Sequence, residues 1–335
     1  MTSSGGPLVS VLISTYNCGE YVCAAVESAL AQTHRAIEVI VLDDGSTDDT
    51  RVRLRGYEGR IRYMYQPNRG LAASRNATIA AARGEAVALL DADDYCAPRR
   101  VEQQLRLLNS DPNIGFVVCR PAVMRLDGTI TGEEYTRHAG FAENEEAVIR
   151  KEAALPRYIR APFFLTTTAL LRKSVLNSVG GYDEALRVCE DLDMTLRLLQ
   201  VCDMGYVNKT LYYYRRGRPE SLSATRLKTC AANIEILERF AESQDSRAPE
   251  VRRALAKRLA QVHALRAAFL IQEGNPRGAR EHLARAAQWH PSAKTWARLA
   301  LAKTGSPGRA ILSWMVRRKF RREPCGNGAT PGRGS

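Results

Sequence analysis

Apolar residues fall in two rhythms along this chain. As far as about residue 225, short unbroken apolar runs alternate with stretches in which apolar positions recur every three or four residues; beyond it only the second rhythm continues. Unbroken runs of this length are typical of strands buried on both faces. They lie at Leu8–Ser14, Ile37–Leu42, Ile61–Tyr65, Ala86–Leu90, Ile114–Cys119 and Phe164–Leu171, with shorter candidates at Gly205–Asn208 and Leu211–Tyr214. The helical rhythm covers Glu20–Gln32, Thr47–Leu54 (with Ser46 as its cap), Leu71–Ala82, Pro98–Asn109, Lys173–Val179 and Met194–Val201. Strands alternating with helices predict an α/β fold with a mostly parallel sheet flanked by helices. Asp127-Gly128 reads as a hairpin turn. Residues 132–155, polar and acidic, read as an excursion or flexible loop over the site.

The C-terminal third predicts an all-helical extension: Leu227–Ala241, Val251–Gln272, Arg277–Trp289, Ala293–Ala302 and Arg309–Arg322. The stretch from Ala268 to Pro291 is weakly similar to one tetratricopeptide hairpin, and a single such unit does not make an array. The chain is thus expected to divide into residues 1–225, a helical region 226–323, and a Gly/Pro-rich disordered tail 324–335.

Charge sharpens that boundary. Residues 1–225 hold 27 Lys and Arg against 28 Asp and Glu, whereas 226–335 hold 22 against 8. The net charge of +13 therefore belongs to the tail of the chain, which argues against a protein that coats nucleic acid. The last helix mixes Trp314 and Phe320 with Arg317, Arg318, Lys319, Arg321 and Arg322. That pattern suits either an anionic membrane surface or a packed terminal helix with a solvated face. No apolar run approaches the ~18–20 residues that span a bilayer, and Met1–Pro7 lacks the charged and apolar parts of a secretory signal. The eight cysteines are scattered without a C-x-x-C pair. Reduced thiols are expected, in a cytoplasmic protein that is at most peripheral at the inner membrane face.

The candidate chemistry sits at strand ends. Ala86–Leu90 stops abruptly in Asp91, Asp93 and Asp94, and Ile37–Leu42 stops in Asp43-Asp44-Gly45-Ser46. Parallel strands share their carboxyl ends, where open α/β sheets bind ligands. Three carboxylates this close repel one another unless a cation sits among them, and Mg²⁺ shares carboxylate ligands with substrate phosphates. The stretch reads either as a metal–diphosphate site or as acidic neighbours of a helix N-cap, since Pro98 follows.

Taken in order, the segments Leu8-Val-Ser-Val-Leu-Ile-Ser-Thr-Tyr-Asn17, Ile40-Val-Leu-Asp-Asp-Gly-Ser-Thr-Asp48, Asn68-Arg-Gly-Leu-Ala-Ala-Ser-Arg-Asn76 and Leu90-Asp-Ala-Asp-Asp94 resemble the family 2 glycosyltransferases of GT-A fold. Gly180-Gly-Tyr-Asp-Glu184 and Glu190-Asp191 extend the resemblance, which covers residues 8 to about 223. It implies a Rossmann-like GT-A domain, a nucleotide-sugar donor (UDP-linked), a divalent metal (Mg²⁺ or Mn²⁺) and inversion at the anomeric carbon. The acceptor would be a saccharide or lipid-linked hydroxyl, in building a surface polysaccharide or glycolipid.

On that resemblance Asp44 would pair with the ring N–H of a uridine base, and Ser14 and Tyr16 would line its pocket. Arg75 would contact ribose or phosphate. Asp91 would hold the ribose side, Asp93 would bind the metal, and Asp94 would be its neighbour or a second ligand. Asp191 would be the general base, with Glu190 sharing or orienting it; at a helix start both also suit the macrodipole. The family often carries a His in its late loop. Here Arg218-Pro-Glu-Ser-Leu-Ser223 has none, and Arg215, Arg216 and Arg218 are placed to clamp the diphosphate. The alternative is a non-catalytic nucleotide-sugar-binding scaffold whose helical tail recruits a partner.

Overall fold

A computed structural model of the chain describes residues 6–134, 142, 144–217, 226–292 and 300. The chain divides into two compact units, Met1–Leu155 with Pro162–Arg216, and Pro156–Ala161 with Gly217–Ser335.

The first unit is built on one mixed sheet. Its elements run β1 (Val9–Thr15), α1 (Gly19–Leu30), β2 (Ile37–Asp43), α2 (Thr50–Leu54), β3 (Arg62–Tyr65), α3 (Leu71–Ala81), β4 (Ala86–Asp91), β5 (Tyr95–Cys96) and α4 (Arg100–Leu108). They continue with β6 (Ile114–Met124), β7 (Ile130–Glu134), β8 (Glu146–Ile149), α5 (Lys151–Arg160), β9 (Leu170–Arg172), α6 (Lys173–Ser178), α7 (Glu190–Val201) and β10 (Asp203–Arg215). The strand order is β3-β2-β1-β4-β9-β6-β10-β5, with β7 added to β6 and β8 to β10. β3, β2, β1 and β4 are mutually parallel, as are β6 and β10; β9 joins the two halves antiparallel to both. Val9, Ile13, Ile40, Val41 and Val87 are fully enclosed, which is why these strands carry no alternation.

Register fixes the site. Ser14 lies beside Asp91, and Thr15 beside Asp43, so both acidic strand ends emerge on one edge of the sheet, as their parallel course requires.

Four expectations change. The run Phe164–Leu171 is not one strand: Thr166–Thr168 is a 3-10 turn and the strand is Leu170–Arg172. The Thr168 hydroxyl donates to the Leu165 carbonyl at 2.6 Å, a local bond that competes with a ladder. The two late strand candidates are one strand, β10, with register shifts around Val207–Tyr212 where Asn208-Lys209 interrupts the apolar run. The acidic excursion carries the end of β7, all of β8 and the first half of α5. Asp203 accepts the Lys151 N–H at 2.9 Å, so the start of α5 is bonded by a residue 52 positions away that no local pattern reveals. Finally, Ser46 does not cap α2: its hydroxyl accepts the Asn17 N–H at 2.9 Å, and the helix begins at Thr50.

The second unit contains α8 (Arg226–Glu242), α9 (Pro249–Gln272) and α10 (Pro276–Trp289). α9 and α10 form the expected hairpin around Ala267, Ala279 and Leu283. Gly274, at φ 78°, ends α9, and the Asn275 side chain accepts the Gly278 N–H at 2.9 Å to cap α10. The expected helices 293–302 and 309–322 and the tail 324–335 lie outside the described residues. No helix among the described residues is long and apolar enough to cross a membrane.

Between α9 and α10, His263 Nδ1 and His282 Nδ1 are 2.9 Å apart, an arrangement that holds one proton between two rings. Burial pushes both imidazoles below the usual histidine value, His282 to about 4 with the Arg266 charge adding to the effect. Their neutral forms therefore contribute stability at pH above the unfolded value, and it is lost as pH falls through the folded one. Helicity followed by circular dichroism is expected to melt at lower temperature at pH 4.5 than at pH 7.5. The same shift in His282→Gln would remove the pair as the cause.

Candidate active site

The acidic loop at the end of β4 is held from below and behind. The Asp94 N–H closes a turn on the Asp91 carbonyl at 3.1 Å. Asp94 is 1% exposed; its Oδ2 accepts the Tyr212 hydroxyl at 2.7 Å and its Oδ1 the Arg215 N–H at 2.7 Å. The Tyr212 oxygen in turn accepts the Asp91 N–H at 3.2 Å. Burial, then the charges of Asp93 and Asp91, push the Asp94 carboxyl well above the usual range. The helix-cap reading fails, because α4 starts at Arg100 behind Arg99 and has no side-chain cap.

Arg215 is not the free diphosphate clamp expected. Its Nε donates to the Asp93 carbonyl at 2.8 Å and its Nη1 to the Leu126 carbonyl at 2.8 Å, while the guanidinium lies 4.6 Å from the Tyr21 ring centroid. It braces the loop. Arg218 lies outside the described residues.

Among the described residues no cluster of three or more His, Cys, Asp or Glu is arranged to hold a metal ion unaided. The donor set nonetheless fits a hard divalent ion completed by phosphate oxygens, since such ions take one or two carboxylates. Asp91 keeps 31% of its side chain exposed at the strand end, Asp93 is partly exposed, and the mutual repulsion of the three acids is relieved by a cation.

At the neighbouring strand end Asp43 is fully buried, accepting the Ser46 N–H at 2.8 Å and the Tyr63 hydroxyl at 3.0 Å. Burial and the Asp43 charge push Tyr63 up to about 12. Asp44 Oδ1 accepts Gln66 Nε2 at 2.6 Å and the Arg69 N–H at 3.0 Å; Oδ2 accepts the Gly70 N–H at 2.8 Å. This carboxylate organises the whole Gln66–Gly70 loop. Gly45, at φ 81°, passes so close that a Cβ would meet the Asn68 nitrogen at 2.7 Å. Ser14 is partly exposed, and Tyr16 is 47% exposed just past β1.

The segments quoted for the family resemblance bond to one another. Asn76 donates to the Tyr182 carbonyl at 2.9 Å and accepts the Tyr182 N–H at 2.7 Å. Arg69 pairs with Glu184 at 2.9 Å. Arg75 joins the two acidic centres: Nη2 meets Asp91 Oδ1 at 3.0 Å and Nη1 meets Glu190 Oε1 at 2.9 Å, with the Tyr182 ring 5.3 Å away. It is 5% exposed, so it is neither a solvated helix-face residue nor turned to open solvent for ribose or phosphate; it is committed to the carboxylates.

Glu190 and Asp191 stand in the first turn of α7, which starts at Glu190 and not Met194. Cys189 before them has φ 63°, a left-handed conformation rare outside glycine and met at functional sites. Burial raises the Glu190 carboxyl to about 7, with Arg75 opposing and Asp191 adding. Burial likewise raises Asp191, again against Arg75. A carboxyl raised above its ordinary range is a stronger proton acceptor than a free one. Sequence reasoning missed Gln66, Tyr182, Tyr212 and Arg100. Tyr182, Tyr212 and Arg100 sit inside patterned segments and Gln66 just past one, but which side chain meets which acid is decided by packing between segments.

A half-parallel sheet presents acids at two strand ends, an acidic helix start faces them, and one arginine joins the groups. This is the architecture of a GT-A glycosyltransferase domain. The chain belongs to glycosyl transferase family 2, whose profile matches residues 10–180. It is 31% identical over 215 residues to a chondroitin synthase of Pasteurella multocida, covering 62% of this chain and 20% of that one. The chain thus spans about a fifth of the length of that synthase. The fold is shared with S. aureus TarS 1–349 in complex with UDP-GlcNAc, at 19% identity and TM-score 0.64 over 94% of this chain and 92% of that one. It is also shared with the mannosyltransferase PcManGT from Pyrobaculum calidifontis in complex with GDP-Man and Mn²⁺, at 19% identity and TM-score 0.56 over 95% and 88%.

Proposed function

We propose that this chain transfers a sugar from a UDP-linked donor to a hydroxyl of a saccharide or lipid-linked acceptor, with inversion. The observation that carries the reading is Arg75, whose guanidinium ties the donor-side acid Asp91 to the base-side acid Glu190. Relatives named for polysaccharide synthesis and a fold neighbour holding UDP-GlcNAc support it.

Asp191 takes the proton of the acceptor hydroxyl as its oxygen attacks the anomeric carbon from the face opposite the nucleotide. The new C–O bond forms as the bond from that carbon to the diphosphate oxygen breaks, and the nucleoside diphosphate leaves. Asp94, buried with both oxygens bonded, is not the second metal ligand expected; Asp93, with Asp91 (expected on the ribose side) as the other carboxylate, would hold a Mg²⁺ or Mn²⁺ ion, which supplies charge neutralisation on the departing diphosphate. Asp94 shapes that loop from within, and Arg75 keeps Asp91 and Glu190 in register. Asp44 sets the Gln66–Gly70 loop, and we assign the nucleotide base to this end, with Ser14 and Tyr16.

A thermal-shift screen of nucleotide-sugars with Mg²⁺ or Mn²⁺, paired with an assay of nucleotide release, tests the reading. A ligand at 100 times its Kd adds about 2.7 kcal/mol of apparent stability, a rise of roughly 5–10 °C for a unit of this size. UDP-sugars are expected to give that rise. A shift without UDP release from any sugar donor would favour the non-catalytic nucleotide-sugar-binding scaffold, and absence of both would overturn the reading.

The rate should also follow pH. With Glu190 ionising at about 7, kcat/KM is expected to fall on acidification through that value. Stability runs the other way. Because burial holds the folded value above the ordinary glutamate range, protonated Glu190 contributes stability below that range and loses it as pH rises through about 7. A flat rate between pH 6 and 8 would contradict the assignment.

We also propose peripheral attachment at the inner membrane face, on the basic segment 309–322, which lies outside the described residues. Deleting residues 306–335 is expected to abolish sedimentation with anionic vesicles. Equal sedimentation of the truncated chain would remove that proposal.

A further inference from the structure

Arg100 is a buried cation that no carboxylate among the described residues pairs with. It is fully enclosed, and its Nε donates to Gln104 Oε1 at 3.0 Å while Nη2 donates to the Thr167 and Ala169 carbonyls, each at 3.2 Å. All three acceptors are neutral. Burying a charge on neutral partners is costly, so its placement asks for a reason. Its guanidinium carbon lies 5.0 Å from the centroid of the Tyr212 ring. Tyr212 is itself fully buried, and its hydroxyl bonds both ends of the acidic loop, the Asp91 N–H and the Asp94 carboxylate.

A cation against an aromatic face is attracted by the ring electrons. It draws density from the ring and makes the phenolic O–H a stronger donor to the carboxylate beyond it. Helix α4 and strand β10 supply the two members of this stack, and the pairing of Tyr212 with Cys96 in β5 fixes the ring under the loop.

We propose that Tyr212, backed by Arg100, is the positioning residue that sets the Asp91–Asp94 loop to receive the donor diphosphate and its divalent ion. The assignment rests on the reading of function above and goes beyond the acids themselves. Without the hydroxyl, Asp94 loses one of its two bonds and the Asp91 N–H loses its partner, so the loop relaxes while the nucleotide end at Asp44 stays intact.

The test uses the full chain and Tyr212→Phe. Mn²⁺ binding in the presence of UDP is measured by electron paramagnetic resonance titration, UDP binding without metal by calorimetry, and kcat and KM with a UDP-sugar. Loss of a hydrogen bond to a charged group predicts Mn²⁺ binding about 10-fold to 100-fold weaker, a similar fall in kcat, and metal-free UDP binding unchanged. Arg100→Lys, which keeps the charge and loses the planar stack, is expected to weaken Mn²⁺ binding in the same direction by less. Tyr206→Phe, equally buried on β10, controls for packing and should bind Mn²⁺ as the parent does. Unchanged Mn²⁺ binding in both Tyr212→Phe and Arg100→Lys, or an equal loss in Tyr206→Phe, overturns the assignment while the glycosyltransferase reading stands. A parent chain that binds neither UDP nor Mn²⁺ overturns that reading, and this assignment with it.

Discussion

Asp191→Asn is expected to lower turnover by about 10²–10⁴-fold, the usual yield of a general base, and to leave donor affinity nearly unchanged. The amide keeps the shape of the side chain and cannot take a proton. The Leu192 N–H, 2.9 Å from Asp191 Oδ1, keeps an oxygen acceptor in Asn, so the start of α7 should hold. Burial holds the Asp191 carboxyl above its ordinary value, and Arg75 limits the rise. Glu190 is the less suitable proton acceptor because Arg75 already occupies its Oε1. Glu190→Gln should therefore act mainly on the pH dependence, with a smaller loss at high pH. Steady-state UDP release with acceptor present, alongside thermal shifts with donor alone, separates the two outcomes. Unchanged turnover in Asp191→Asn would remove it as the base.

Arg75→Met should produce the largest loss of stability among single changes at the site. The residue is 5% exposed and answers two carboxylates at 3.0 and 2.9 Å. Removing one partner of a buried ion pair costs about 3–5 kcal/mol, because the remaining charge is stranded. For a unit of this size that is a fall in Tm of roughly 10 °C. A second effect separates electrostatics from packing. Arg75 opposes the rise of the Glu190 carboxyl, so without it that group climbs further above about 7 and the acid limb of kcat/KM moves to higher pH. Arg75→Lys keeps the charge but lacks the fork that reaches both acids, and should restore part of the Tm. A Met variant with unaltered Tm and pH profile would show that the bridge carries no weight.

How much of this was legible in the sequence follows from what each segment packs against. β1, β2 and β4 lie inside the parallel part of the sheet, so their apolar runs are continuous and their ends unambiguous. The acids that follow them were legible for the same reason. The region from Ile130 to Arg172 was not. Its strands are short, their partners distant, and helix α5 contains Pro156 and relies on Asp203 for a bond at its start. At the site, composition and order named the acids, but Arg75 and Arg215 were assigned to the substrate because an exposed and a buried arginine look alike in a sequence. Tyr212 stood in a run of three tyrosines. Only the alternation imposed by β10 decides that this one is enclosed while Tyr213 stacks on Tyr95 at 4.4 Å.

The shared guanidinium also sets a rule for recombination. Arg75 and Asp91 lie in the N-terminal part of the domain and Glu190 lies a hundred residues later, yet one side chain serves both. A chimera that takes its N-terminal half from this chain and its C-terminal half from a relative, joined anywhere between residues 91 and 190, sets this arginine against a foreign acid. Such hybrids should be viable only when the incoming segment offers a carboxylate at the same depth, so crossovers should be chosen by that three-residue match before any choice of sugar.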